Sequence, residues 1–163
     1  MSKIYLPRKL KICFVVWFFP KLSETFVLNQ IIELKRQGHQ ITIFAVYNPA
    51  YKLASEDREL ETKIHEEILL YRLKWNTFYR TPHTMYSLLK KNRKKFDVVY
   101  IQFGDLAARI LQYGNINLPT FVVFHNLKDI TKKLHYREQR RLYKDLFNRE
   151  VRILTVSEIM KQK

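Results

Sequence analysis

Glycine is scarce in this chain: Gly38, Gly104 and Gly114 are the only 3 in 163 residues. None falls into a spacing that lets backbone wrap a phosphate, which argues against a dinucleotide or P-loop enzyme. Cysteine is scarcer still. The single Cys13 excludes a disulfide framework within the chain, which suits a reducing cytoplasm. It sits in an apolar run where nothing would lower its pKa, so it reads as a small core residue. No Cys or His pair has metal-ligand spacing, and no metal is expected. A glycine-flanked serine elbow is missing too, which argues against a Ser-His-Asp hydrolase. No apolar stretch approaches the roughly 20 residues that span a bilayer. Lys3, Arg8, Lys9 and Lys11 ahead of the apolar run 12–19 mimic a signal peptide. That run is bulky, ends at Pro20 and lacks a small-residue cleavage site, so a buried strand is the better reading.

What is present is hydrophobic and cationic. Hydrophobic residues make up 47% of the chain and aromatic residues 14%, which argues against disorder. The length is enough for one domain with a real core. Lysine and arginine number 30 against 15 acidic residues, a formal charge of +15. Such an excess attracts nucleic acid, anionic lipid headgroups or phosphorylated substrates, unless it is only a solvated lysine-rich surface.

Hydrophobic patterning alternates between strand and helix. Residues 12–19 are continuously apolar, as in a strand buried on both faces. Ser23 or Thr25 can cap a helix running to about Gln37, with Glu24 favourable at its positive end. Val27, Ile31 and Leu34 share one face of that helix, with Leu28 and Ile32 beside them, and Gly38 stops it. Residues 41–46 form a second strand ended by Asn48-Pro49. Residues 50–63 read as a charged surface excursion, and 64–73 as either a strand or a buried helical turn. Residues 78–95 read as a helix with Met85, Leu88 and Leu89 inward and a basic tail, which the helix dipole favours. Further strands fall at 96–101, 120–124 and 151–156. Further helices run from Asp105 to Tyr113, stopped by Gly114, over 131–148, and from Ser157 onward.

This alternation predicts an α/β fold with an open, doubly wound, mostly parallel Rossmann-like sheet. Ligands of such sheets bind at the carboxyl ends of the strands. Ser23, Glu24 and Thr25, then Gln102 and Gly104, then His125 and Asn126, then Ser157 and Glu158 all fall there. His125 is the sharpest of them. A histidine ending an apolar strand on that rim can orient a hydroxyl, donate to a phosphate or act as acid or base. His39, His65, His83 and His135 are read as incidental. The helix at 131–148 carries Lys132, Lys133, Arg137, Arg140, Arg141 and Lys144, with Leu134, Leu142, Leu146 and Phe147 on an apolar side. It is either a core-packed helix with a solvated cationic face or a helix lying on an anionic membrane. Nucleic-acid binding ranks lower, because the aromatics fall in strands or on apolar helix faces.

The loops in order resemble a known family. The segment from Pro20 through Ser23-Glu24-Thr25 to Val27, followed by Gln30-Ile31 and Gly38-His39, resembles the start of family 4 glycosyltransferases. The resemblance is nearest to the exopolysaccharide enzymes of the colanic acid type. The run from Asp97 to Gly104 resembles their segment ending in His-Phe-Gly. Phe124-His125-Asn126 resembles Phe-His-Gly, and Val156-Ser157-Glu158 their Val-Ser-Glu element. Each motif alone is weak, while the ordered set covers nearly the whole chain. There are departures. Gln102 stands where the family has histidine, and Asn126 where it has glycine. The family's aspartate beyond the histidine falls at Lys128, with Asp129 one position late.

The resemblance implies the N-terminal half of a GT-B enzyme, two Rossmann-like domains facing a cleft. It implies retaining transfer of a sugar, of hexosyltransferase type, from a nucleotide-sugar donor to a polysaccharide or lipid-linked glycan acceptor, with no metal or other cofactor required. By the same resemblance His125 lies near the reacting sugar. Ser23, Glu24, Thr25, Gln102, Gly104, Asn126, Asp129, Ser157 and Glu158 are candidate substrate contacts. The family's second domain carries the donor site and a pair of glutamates. The chain is therefore expected to be a single acceptor-side domain over 1–163, truncated or split and inactive alone. Its expected place is the cytoplasm, with the inner face of the plasma membrane as a candidate surface. The alternative is a non-catalytic basic α/β module that docks on anionic membrane or on a partner subunit.

Overall fold

A computed structural model describes residues 8–19, 25–47, 69–74, 80–125 and 137–155. In chain order the elements are β1 (Lys11–Val16), α1 (Thr25–Arg36), β2 (Gln40–Tyr47), β3 (Leu69–Lys74) and α2 (Arg80–Asn92). After them come β4 (Val98–Gln102), α3 (Gly104–Leu111), β5 (Thr120–Phe124), α4 (Arg137–Phe147) and β6 (Arg152–Thr155). A short 3-10 turn, Arg93–Lys95, links α2 to β4. The six strands form one parallel sheet in the order β3-β2-β1-β4-β5-β6. This is the doubly wound α/β arrangement expected from the alternation of strand and helix.

Period-two alternation along each central strand builds two cores. Cys13 and Val15 of β1, Phe44 of β2, Val99 and Ile101 of β4, and Val122 and Phe124 of β5 face one layer. Met85 and Leu89 of α2, Leu106 and Ile110 of α3, and Leu142 and Leu146 of α4 cover that layer. Ile12, Phe14 and Val16, with Ile41 and Ile43, face the other, where Val27 and Ile31 of α1 close it. Burial on both faces is why these strands lack the polar alternation of a half-exposed sheet. On the second face a register row runs Phe14, Tyr100, Phe121 and Arg152 across four strands. The rings lie 5.0 and 6.0 Å apart, and the Arg152 guanidinium sits 5.4 Å from the Phe121 centroid.

The helix ends follow local chemistry. Gly38 has φ +86 and terminates α1. Its N–H reaches Lys35 O at 2.8 Å, and the His39 N–H reaches Leu34 O at 3.1 Å, the paired bonds of a Schellman cap.

Several expectations need correcting. The first strand stops at Val16, and residues 17–19 bend away. The ambiguous apolar stretch is a strand from Leu69. The long basic helix breaks at Asn92 into the 3-10 turn. Gln102 is the last residue of β4 rather than loop, and α3 begins at Gly104 and ends at Leu111. Ile32 and Phe147, placed with the apolar faces, are 36% and 53% exposed. In α4 the inward positions are Leu142, Tyr143 and Leu146. Residues 131–136, with Lys132, Lys133 and Leu134, and the helix beginning at Ser157 lie outside the described residues.

Candidate functional site at the switch point of the sheet

In the observed strand order the winding reverses between β1 and β4. The chain leaves both strands at the same edge and turns in opposite directions, which opens a crevice. Three described segments border it: Trp17 to Phe19 after β1, Phe103 and Gly104 after β4, and His125 after β5. The first turn of α1, with Thr25 and Phe26 exposed, faces the same edge.

His125 is half-buried and is held by a chain of amides. Its Nε2–H donates to Gln102 Oε1, since a carbonyl oxygen can only accept. The other end of that amide, Gln102 Nε2, donates to Gln30 Oε1 at 2.8 Å. Gln102 is fully buried, so both halves of its amide need partners, and both have them. The consequence is chemical. With Nε2 carrying the proton, the lone pair of the neutral ring is at Nδ1. Residues on α1, β4 and β5 are joined in one line across the switch point.

Aromatic rings flank the imidazole. Phe26 lies 4.3 Å from it, centroid to centroid, and Phe103 lies 5.2 Å away. Phe103 has φ 78, a backbone conformation that residues with a side chain rarely adopt. Strain of this kind costs of order 1–3 kcal/mol and persists only where the surroundings enforce it. Two bonds do so. The Phe103 N–H extends the ladder to Val123 O at 3.0 Å, and the Phe103 carbonyl accepts the first helical bond, from the Ala107 N–H, at 3.1 Å. The strained residue places its ring beside His125.

Gly104 answers a different need. A Cβ there would sit 2.0 Å from the Phe124 ring, so only glycine lets α3 start this close to β5. Of the sequence candidates, the structure brings Gln102 and His125 together in a hydrogen bond, with Gly104 packed on the strand that carries His125. Thr25 stands exposed at the start of α1. Ser23, Glu24, Asn126, Asp129, Ser157 and Glu158 lie outside the described residues.

Sequence reasoning passed over Phe26, Gln30 and Phe103 as site residues. Gln30 follows Phe26 by one helical turn, so both project from the same side of α1. A glutamine bordering the buried pair Val27 and Ile31 was the available signal. Cys13 is fully buried, and burial pushes its thiol pKa up, as a core cysteine requires. His39 is structural: its Nδ1 accepts the Leu10 N–H at 3.1 Å. Among the described residues no group of acidic, cysteine and histidine side chains could hold a metal. No described helix is long and apolar enough to cross a membrane. A cleft of about 270 Å³ bounded by Asn115, Thr120 and Glu150 opens at the far ends of β5 and β6, away from this rim.

A Rossmann-like sheet with a tethered histidine at its switch point defines a class, the α/β domains that bind ligands at strand ends. The family model described as Glycosyltransferase Family 4 matches residues 23–163, and the chain belongs to that family. The match corresponds to the N-terminal domain of such transferases. No curated protein matches the chain.

Proposed function

We propose that this domain forms the acceptor wall of a retaining glycosyltransferase, which moves a hexosyl group from a nucleotide-sugar to a glycan acceptor. His125 is the residue at the reaction. The observation that carries this reading is the fixed imidazole at the switch point, held by Gln102 and flanked by Phe26 and Phe103. An imidazole with its lone pair at Nδ1 can accept a hydrogen bond from a sugar hydroxyl and orient it, or hold its proton. The C–H face of a pyranose ring is apolar and packs well on an exposed aromatic ring, and Phe26 is 37% exposed. The nucleotide would be held by a second Rossmann-like domain facing this rim, since glycine is too sparse here to cradle a diphosphate. In this reading the described rim supplies positioning and proton handling, and no metal takes part.

The test pairs the chain with a nucleotide-sugar domain of the same family, in trans or fused, and follows transfer of a labelled sugar to glycan acceptors. Transfer should appear with both halves present and disappear in His125→Ala. Wild-type transfer by His125→Ala would overturn the assignment. So would full turnover by these 163 residues alone.

A further inference from the structure

The opposite end of the sheet carries a second concave surface. A cleft of about 270 Å³ opens where β5 and β6 begin, between the loop that follows α3 and the turn that follows α4. One wall comes from alternation along residues 115–118. Ile116 is 2% exposed and Leu118 packs against the core, so Asn115 and Asn117 project outward. Asn117 has φ 61, a conformation that asparagine adopts more readily than most residues. The chain then enters β5 at Thr120, whose hydroxyl donates to Leu118 O at 2.9 Å. Leu111, Pro119 and Val151 give the cleft an aliphatic lining, and Glu150 stands exposed on its β6 side.

The polar groups here are of both kinds and are not spent on each other. Arg149 Nη1–H donates to Asn115 Oδ1 at 3.0 Å, which keeps the Asn115 Nδ2–H2 group as a donor for another partner. Glu150 makes no ion pair with a described residue and offers a carboxylate acceptor. Asn117 carries both a donor and an acceptor. Such a set is matched by a ligand whose groups each donate and accept, as hydroxyls do. Charged ligands are matched less well. Helices α3 and α4 both end beside the cleft, and their negative dipole ends stand with Glu150 against a phosphate or carboxylate. The Arg149 guanidinium and a chain charge of +15 stand against a cation. Among the described residues no aromatic ring lines the cleft, so a nucleobase has nothing to stack on. The volume falls below the roughly 300–1,000 Å³ of sites for drug-sized ligands and suits one saturated ring.

We propose that this cleft is a second saccharide site, which holds one neutral pyranose unit through Asn115, Asn117 and Glu150. The apolar C–H face of the ring packs on the aliphatic lining, while its hydroxyls donate to Glu150 and accept from Asn115. The site is separate from the rim. The 5 residues of β5 run from Thr120 in the cleft to Phe124 beside His125, which puts roughly 17 Å between the two. Occupancy of one therefore leaves the other open. A polymeric glycan held here stays tethered while its end exchanges at the rim, a use that rests on the acceptor role proposed for the rim.

Titration of the full chain with free sugars, followed by proton–nitrogen NMR, tests the site without any transfer reaction. Methyl glucoside should shift the side-chain amide signals of Asn115 and Asn117 in a saturable way, with a Kd in the millimolar range that one small ring allows. Glucuronate and glucosamine should bind more weakly. Asn115→Ala and Glu150→Ala, both at exposed positions, should each weaken methyl glucoside binding by roughly tenfold through loss of a hydrogen bond. His125→Ala should stay within about twofold of wild type, and circular dichroism should show all three variants folded. The proposal is overturned by the absence of a saturable shift, by shifts confined to His125 and its neighbours, or by tighter binding of either charged sugar.

Discussion

Gln102 is fully buried at the end of β4, and its amide is satisfied at both ends by side chains rather than backbone. Replacing it with leucine sets the His125 Nε2–H and Gln30 Oε1 against an apolar side chain, and an unsatisfied group costs up to about 1–3 kcal/mol, less where solvent still reaches it. Gln102→Leu should therefore lower the urea midpoint and disorder the imidazole together. The same bookkeeping makes Gln30 a positioning residue for His125. Gln30→Ala and Gln102→Leu combined should cost less than the sum of the two, by about 1 kcal/mol, because the pair shares one bond. Additivity within a few tenths of a kcal/mol would show that the amide chain carries no coupling. At Gly104 the argument is steric. Gly104→Ala drives a methyl into the Phe124 ring, and overpacking of this kind costs about 1–3 kcal/mol. The ring that must move belongs to the strand that leads into His125, so thermal stability should fall and the imidazole should shift with it.

At the scale of elements, α4 separates packing from surface. Leu146 is 1% exposed, and Leu146→Ala should cost about 2–5 kcal/mol by cavity formation. Phe147 stacks on Phe124 at 5.9 Å but is 53% exposed, so Phe147→Ala should cost only about 1 kcal/mol. Equal losses in denaturant titrations would mean that the helix is rotated from its described position. This is also where sequence and structure parted. The period of α4 was legible, but Tyr143 and Phe147 both fit an apolar stripe, and both rings contact Phe124 while only Tyr143 is buried. The strands were legible because burial on both faces leaves unbroken apolar runs, as in residues 12–16. Leu69 to Lys74 stayed ambiguous because 6 residues of mixed apolar and basic character suit a strand or a helical turn alike. His125 could be found because a polar residue ended an apolar run. Gln30, which holds the far end of the Gln102 amide, lies 72 residues from Gln102, and a bond of that span leaves no local pattern.

For the whole molecule, the alkaline side of the stability curve sets two opposing effects against each other. Burial raises the pKa of the Cys13 thiol well above its ordinary value of 9.0 and that of the Tyr100 phenol above 10.0. Both groups are therefore neutral in the folded protein at pH values where the unfolded chain already ionises them. The stability they contribute is complete below those ordinary values and is lost as pH rises toward the folded ones. Self-repulsion in a chain with net charge +15 acts the other way, because it eases as positive charge is lost at alkaline pH. The balance is read from differences between variants, in which the self-repulsion cancels. Urea midpoints of wild type and Cys13→Ala should differ by a constant amount through neutral pH, with wild type the more stable because the cavity costs the variant stability. The gap should close above pH 9.0, since the variant has no thiol to ionise on unfolding. Tyr100→Phe should behave the same way from about one pH unit higher. Curves for wild type and Cys13→Ala that stay parallel to pH 10.0 would mean the thiol ionises as easily in the folded protein as in the unfolded one, which its full burial in the sheet core forbids.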